Sequence, residues 1–373
     1  MAVAGVVASL SLAVALTVMV ASFRDAVSRW LDTVLPADLY VRTASPGGGG
    51  NETAWLPPDF VVAARVLPGV ARAEALRATA MPLDPSRPAP VLIARPLEDP
   101  TRTLPLVGEL LAEMPGTRSA YVSEAMAALY DAAPGTRLTL PLTRVGSDGS
   151  ARSIDADFFV RGVWRDYARQ HGAVVIAESD FRALTGDTRV NDLAFTLAPG
   201  ADMAALQQRL RALAPDPALI EFAQASEIRA ASLHIFDRSF AVTYWLQAVA
   251  IVIGLFGIAA SFSAQVLARR KEFGLLAHLG FTRRQVLAIV AGEGAAWTAA
   301  GALLGLALGL AVSVVLVHVV NPQSFHWTME LLAPWGRLAA LCAAVVVAGT
   351  LTAALAARQA VSRDAVLAVK EDW

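Results

Sequence analysis

Side chains able to do covalent chemistry are few and scattered along the sequence. His171 and His234 lie far apart, no His-Glu-x-x-His or paired Cys and His spacing occurs, and no Gly-x-Ser-x-Gly segment offers a nucleophile elbow. Ser123-Glu124 and Ser226-Glu227 have the residue types of nucleophile and base, but Ser ahead of an acid and an apolar run is the pattern of a helix start. Asp155 and Asp157 share one face of an expected strand, where two carboxylates serve catalysis in some proteins and are simply solvated in most. Gly47 to Gly50 with Asn51 reads as a flexible loop and not a phosphate cradle, because no Gly-Lys-Ser/Thr follows. The single cysteine, Cys342, excludes an internal disulfide and a Cys-based metal site. No catalytic residue, metal site or cofactor of the chain's own is expected.

The elements that hold these residues explain the scarcity. The 373 residues have a mean hydropathy of +0.51 and only 17% are charged, which is wrong for an ordinary soluble chain. Met1 to Phe23, Ser239 to Ala268 and Leu338 to Ala357 carry no charge, and Gln285 to Met329 carries only Glu293 with His318 and His326. A bilayer core takes about 20 apolar residues per helix, so four transmembrane helices are expected: 1–23, 239–268, 285–320 and 338–357. A secretory signal peptide is the weaker reading of the first, which lacks a basic start and exceeds an h-region of about 7–15 residues.

Between the first and second spans, the block 24–238 holds 22 Arg against 26 Asp and Glu. That balance suits a water-soluble domain and excludes the positive field that nucleic acid requires. Short apolar runs at Ala37 to Val41 and Val91 to Ala94, strands at Ala156 to Trp164, Ala173 to Ile176 and Asp192 to Leu197, and helices at Glu178 to Leu184 and Ala201 to Leu213 predict an α+β domain built of two strand-and-helix units. The fold class expected is therefore an α-helical membrane protein with an extracytoplasmic α+β domain inserted between its first two spans. From about Ala225, a stretch without Pro or Gly leads into the second span, predicting one helix to about Leu267, half stalk and half span.

Charge asymmetry orients the chain. The loop 269–284 holds Arg269, Arg270, Lys271, Arg283 and Arg284 against Glu272 alone, whereas the outer loop 321–337 has a single basic residue at its end, Arg337. The positive loop belongs in the cytoplasm, as does the tail 358–373, with the large domain outside a bacterial inner membrane. Gly301, Gly305 and Gly309 recur every fourth residue in the third span, a ridge that lets another helix, from this chain or a partner, approach closely. Glu293, the one acid within a span, is read as reaching the headgroups or pairing with Arg283, with a role in conduction as the alternative.

In the cytoplasmic loop, Phe273, Leu276 and Leu279 or Gly280 fall at helical spacing, giving a short amphipathic helix closed by Gly280. On residue chemistry alone it could dock in a protein groove or lie on anionic lipid. Arg-x-x-Glu-Phe-Gly-Leu-Leu-x-x-Leu-Gly from Arg269 to Gly280, followed by Thr282-Arg-Arg-Gln-Val, resembles the coupling segment of the FtsX-like permease family, membrane subunits of ABC transporters of the lipoprotein-release and macrolide-exporter type. The order of spans, the exported domain and the closing Ser362 to Lys370 resemble that family over nearly the whole chain. Ala21 to Leu31 and Leu35 to Val41 are most similar to the second half of its long, duplicated members.

The resemblance implies that Glu272, Phe273, Gly274, Leu275, Leu276, Leu279 and Gly280 contact a separate ABC-type ATPase that binds the ATP, with the flanking basic residues setting orientation, and that Leu276→Asp would abolish the contact. It further implies a second permease half or a homodimer as partner, a lipid, lipoprotein or other amphiphile as cargo, and motion passed to the outer domain. A membrane signalling protein that activates an extracytoplasmic partner, such as a cell-wall hydrolase, is the alternative that the same motion allows.

Overall fold

In a computed structural model the chain is described over residues 2–43, 55–146, 150–269, 272, 275–276 and 279–361. It divides into two compact units, one of Ala26–Ile235 with Asn321–Thr328, the other of the residues up to Asp25, Phe236–Val320 and those from Met329 on.

The first unit is a sheet decorated by short helices. Its strands are β1 (Leu39–Thr43), β2 (Val70–Ala80), β3 (Val91–Arg95), β4 (Leu106–Val107), β5 (Arg118–Ser123), β6 (Arg137–Val145), β7 (Ala151–Trp164), β8 (Ala173–Ala177), β9 (Asp192–Leu197) and β10 (Ile220–Gln224). They lie in the order β10-β1-β9-β2-β3-β8-β5-β7-β4, with β6 paired to β7. The helices are α2 (Pro58–Arg65), α3 (Pro100–Thr103), α4 (Glu124–Tyr130), α5 (Glu178–Thr185) and α6 (Met203–Leu213), which follow α1 (Ala2–Val34) in the chain.

β2 makes the sheet continuous. Its residues up to Leu76 pair with β9, and Arg77 to Ala80 pair with β3. On one side of this switch, Leu39, Val41, Leu193 and Phe195 pack against Phe60 and Ala64 of α2 and Leu206 and Leu210 of α6. On the other, Leu92, Val122, Phe158 and Ile176 pack against Met126 of α4 and Phe181 of α5. These are two strand-and-helix units sharing one sheet, as the sequence pattern predicts. The α+β expectation for the block is met.

Ser123 is a cap and not a nucleophile. Its hydroxyl oxygen accepts the Met126 N–H at 3.1 Å to open α4 and the Ala173 N–H at 2.9 Å. Glu227 similarly accepts the Gln224 N–H at 2.9 Å at the start of α7 (Ala225–Ala268). Asp155 and Asp157 are both exposed, and Asp157 accepts from the Thr139 hydroxyl at 2.7 Å and pairs with Arg137 at 3.4 Å, which is the solvated arrangement. Gly47 to Asn51 and Ser362 to Lys370 lie outside the described residues.

The outer loop expected over 321–337 is divided between the units. Asn321–Phe325 forms a short helix, and Thr328 is bonded into the first unit: its N–H and hydroxyl donate to the Glu124 carboxylate at 3.1 and 2.5 Å, while its own oxygens accept from Arg165 at 3.0 Å and Tyr167 at 3.1 Å. Trp327 meets the Tyr167 ring edge-on, centroids 4.7 Å apart. Sequence offers no sign of these bonds, because every partner is remote in the chain.

The second unit is helical. Among the described residues four helices are long and apolar enough to cross a membrane: α1, α7, α8 (Arg283–Val315, running on through a π-helical turn at Leu316–Val320 into the short helix α9, Asn321–Phe325) and α10 (Trp335–Val361). α7 corresponds to the single stalk-and-span helix predicted from about Ala225. Val6, Leu10, Val14 and Val18 form one stripe of α1 and pack with Ile258 and Phe262 of α7, Ala302 of α8 and Val345 and Ala353 of α10. Outward faces carry exposed Ile253, Phe256, Leu303, Leu304 and Leu351, as lipid-facing surfaces do.

Candidate functional site

The basic loop between α7 and α8 is pinned at both ends by bonds its own sequence supplies. Arg269 follows the last residue of α7. Its Nε donates to Glu272 at 2.8 Å, and its Nη1 reaches both oxygens of Glu293 on α8, at 2.8 and 3.1 Å. The expected partner of Glu293, Arg283, is thereby corrected: Arg283 and Arg284 are exposed and make no ion pair with a described residue, because they stand in the first turn of α8 and point outward. The distance along the helix suggested Arg283. The actual contact crosses between two helices, which sequence spacing cannot reveal.

At the far end, Gly280 has φ +92°, and the Phe281 N–H donates to the Leu276 carbonyl at 3.1 Å. This is the 6→1 bond of a Schellman closure, with glycine at the left-handed position. Two residues later Thr282 opens α8 by a capping box with Gln285, the Thr282 N–H donating to Oε1 at 2.8 Å and the Gln285 N–H to Oγ1 at 3.4 Å. Stop and start signals in direct succession fix where the loop turns.

Between those closures the described residues divide by face. Leu275 and Leu279 are 64% and 68% exposed, one helical turn apart, and the Leu279 N–H donates to the Leu275 carbonyl at 3.0 Å. Leu276 turns the other way and packs against Val266, Val286, Val290, Ala356 and Ala357. The expected centre of the docking contact thus holds the loop to its own helices, and the outward apolar pair is Leu275 with Leu279. Arg270, Lys271, Phe273 and Gly274 lie outside the described residues.

The glycine ridge of α8 has its partner within the chain. A Cβ added to Gly301 would come 3.2 Å from the Val6 side chain, one on Gly305 3.1 Å from Leu10 Cβ, and one on Gly309 2.6 Å from Val14 Cβ and 2.7 Å from the Ser11 carbonyl. α1 therefore occupies the surface that sequence left open to an internal or an external helix. The same device joins the other pairs: Gly254 of α7 faces Ser9 of α1, and Gly294 and Gly349 face Ala353 and Thr298 across the α8–α10 seam. Among the described residues no group of three or more His, Cys, Asp or Glu could hold a metal ion.

Two family profiles match this arrangement: the MacB-like periplasmic core domain over residues 1–213 and the FtsX-like permease C-terminal part over residues 246–365. The chain belongs to this family of FtsX-like permeases with a MacB-like periplasmic core domain. It is a multi-pass inner-membrane protein whose inserted α+β domain is of the periplasmic kind. An uncharacterized ABC transporter permease protein of Mycobacterium tuberculosis is 28% identical over 336 residues, which is 88% of this chain and 38% of that protein. The chain thus spans well under half the length of that relative. Among solved structures, the periplasmic region of MacB from Actinobacillus actinomycetemcomitans covers 54% of this chain and 94% of its own, at 10% identity and TM-score 0.37. The extracellular domain of the ABC-type transporter YknZ from Gram-positive bacteria covers 50% and 99%, at 10% identity and TM-score 0.33.

Proposed function

We propose that this permease is the membrane part of an ABC transporter, working with a separate ATPase subunit that docks on the loop between α7 and α8. The observation that carries the reading is the exposed pair Leu275 and Leu279 in a loop whose two ends are bonded through Arg269, Gly280 and the Thr282 capping box. Exposed apolar side chains four residues apart, linked by an N–H to carbonyl bond of helical spacing, are the pattern that enters a groove of a partner protein. Glu272 and the basic residues 269, 270, 271, 283 and 284 set the orientation of that contact. The ATP is bound and hydrolysed by the partner, and the chain itself is not an enzyme.

Movement of the loop is passed along α7, which runs unbroken from Ala225 to Ala268, to the exported domain, which handles a lipid, lipoprotein or other amphiphile. A second permease half or a second copy completes the assembly. Purification of the chain from its native host in mild detergent tests the docking. An ABC-type ATPase is expected with the wild type and with Leu276→Ala, and is expected to be lost with Leu275→Asp or Leu279→Asp. Retention of the ATPase by both aspartate variants, each shown to be inserted in the membrane, would overturn the assignment.

A further inference from the structure

A cleft in the exported unit holds a buried guanidinium, Arg95, that no described carboxylate approaches within hydrogen-bond distance. The antiparallel register sets Tyr40 of β1 beside Ala194 of β9, and Ala194 beside Glu74 of β2. Because side chains alternate along a strand and Leu39, Val41, Leu193 and Phe195 are packed with α2 and α6, this row faces away from those helices. It forms part of a cleft of about 330 Å³ whose lining includes Val34, Pro36, Leu76, Arg72, Arg95 and Arg102, a volume in the range of small-molecule sites.

Arg95, the last residue of β3, is the anomaly. Its side chain is 14% exposed, and the one described carboxylate in ion-pair range, Glu74, is 3.7 Å away and is held more closely by Arg72 at 2.8 Å. The Arg95 side chain donates no hydrogen bond to any described residue, and its Nε is buried without an acceptor. Burial pulls the guanidinium below its usual value against the opposing pull of Glu74. Beside it the Tyr40 oxygen accepts the Ala37 N–H at 3.1 Å, leaving its own proton to donate. Arg72 and Arg102 in the lining have their own carboxylates, Glu74 and Glu98 for the one and Asp99 for the other, so the under-compensated charge of the cleft is that of Arg95. A buried, under-compensated cation with idle donors calls for an acceptor, and the planar fork of Arg suits two oxygens of one oxyanion.

We infer that this cleft binds a phosphate-type oxyanion carried on an aliphatic group, the oxyanion on Arg95 and the Tyr40 hydroxyl, the aliphatic part on Val34, Pro36 and Leu76. A lipid headgroup and a soluble alkyl phosphate share this chemistry. The site rests on the cleft alone and stands whether or not an ATPase docks on the loop.

Titration calorimetry of the full chain in detergent, with hexyl phosphate, inorganic phosphate and hexanol as separate probes, tests it. Saturable binding of hexyl phosphate is expected, with weaker binding of inorganic phosphate and none of hexanol. Arg95→Met should weaken hexyl phosphate by about tenfold or more and Tyr40→Phe by a few-fold, as loss of a charged and of a neutral donor does. Arg95→Met should also leave the thermal midpoint unchanged or raised, since a merely structural arginine would lower it. Should that variant not fold, Tyr40→Phe carries the test. Absence of saturable binding to the wild type, or binding unchanged in the variants, would overturn the site. Inorganic phosphate binding as tightly as hexyl phosphate would overturn its aliphatic half.

Discussion

Arg269 and Glu293 form a two-pronged ion pair across the cytoplasmic ends of α7 and α8, Nη1 lying 2.8 and 3.1 Å from the two carboxylate oxygens. Both side chains are more than 40% exposed, so in water such a pair is worth only about 0.5 kcal/mol. Its effect is to leave neither charge alone beside the apolar spans. Glu293→Gln is therefore expected to lower the thermal midpoint less than Arg269→Gln, which strands a carboxylate and also releases Glu272. Unfolding of both variants in detergent measures this. A larger loss for Glu293→Gln would contradict the pairing.

Leu276 and Leu275 are neighbours with opposite duties. Leu276 packs on Val266, Val286 and Ala357, whereas Leu275 points away from them. Truncating a half-buried leucine costs about 1–2 kcal/mol, less than the full burial value. Leu276→Ala should lower the midpoint accordingly, and Leu275→Ala should leave it within error. The same thermal assay decides, independently of any partner.

The three ridge glycines are predicted to differ. An added Cβ meets α1 at 3.2 Å from Gly301 and 3.1 Å from Gly305, where small shifts suffice, but at 2.6 Å from Gly309 with the Ser11 carbonyl also in the way. Overpacking a well-packed seam costs about 1–3 kcal/mol, and Gly309→Ala should sit at the top of that range with the other two alanine variants near its bottom. Equal midpoints for the three would mean that α1 does not occupy the ridge.

What the sequence showed and what it hid follow from the range of each interaction. Strand β9 and helix α6 were legible because Leu193 and Phe195 alternate and Leu206 and Leu210 recur at helical spacing. The stop at Gly280 was equally local. The helix Pro58–Arg65 is anchored by the distant Leu206 and Leu210, which no local pattern names. The long strand β2 gave no signal, since its Arg, Glu and Ala residues face two different partners along its length. Which face of the cytoplasmic helix docks inward was beyond periodicity, which orders residues around a helix without naming their neighbours. Arg95 has no local pattern at all: its isolation is a property of the assembled sheet.

At the point where β2 changes partner, Arg77 is buried against Asp187, Nε to Oδ2 at 3.1 Å, and donates to Asn191 at 2.9 Å. Burial would raise the Asp187 carboxyl, but hydrogen bonds from Arg189 and the charge of Arg77 outweigh it and hold the group below its usual 3.8. A depressed folded value stabilises above pH 3.8 and is lost as pH falls through the lower one. Acid unfolding of the wild type should therefore steepen below about pH 4. Asp187→Asn should remove that step and, by leaving Arg77 buried without its charge partner, cost about 3–5 kcal/mol at pH 7. Denaturant midpoints across this pH range provide the check.

The tie between Thr328 and Glu124 has its own pH signature through Tyr167, which donates to the Thr328 carbonyl. Burial, opposed by Arg165, pushes the Tyr167 hydroxyl up to about 12. A folded value raised above the unfolded 10 contributes stability that is complete below pH 10 and is lost as pH rises through about 12. Tyr167→Phe should abolish that alkaline loss. Thr328→Val removes the bonds from its hydroxyl to Glu124 and from Arg165 and leaves a nearly buried carboxylate short of a donor, which costs about 1–3 kcal/mol. In hydrogen exchange on the full chain, amides over 321–328 should exchange faster in Thr328→Val than in wild type, while those of β5 and β8 stay protected. Unchanged exchange over 321–328 would show that these bonds do not fasten the segment to the exported domain.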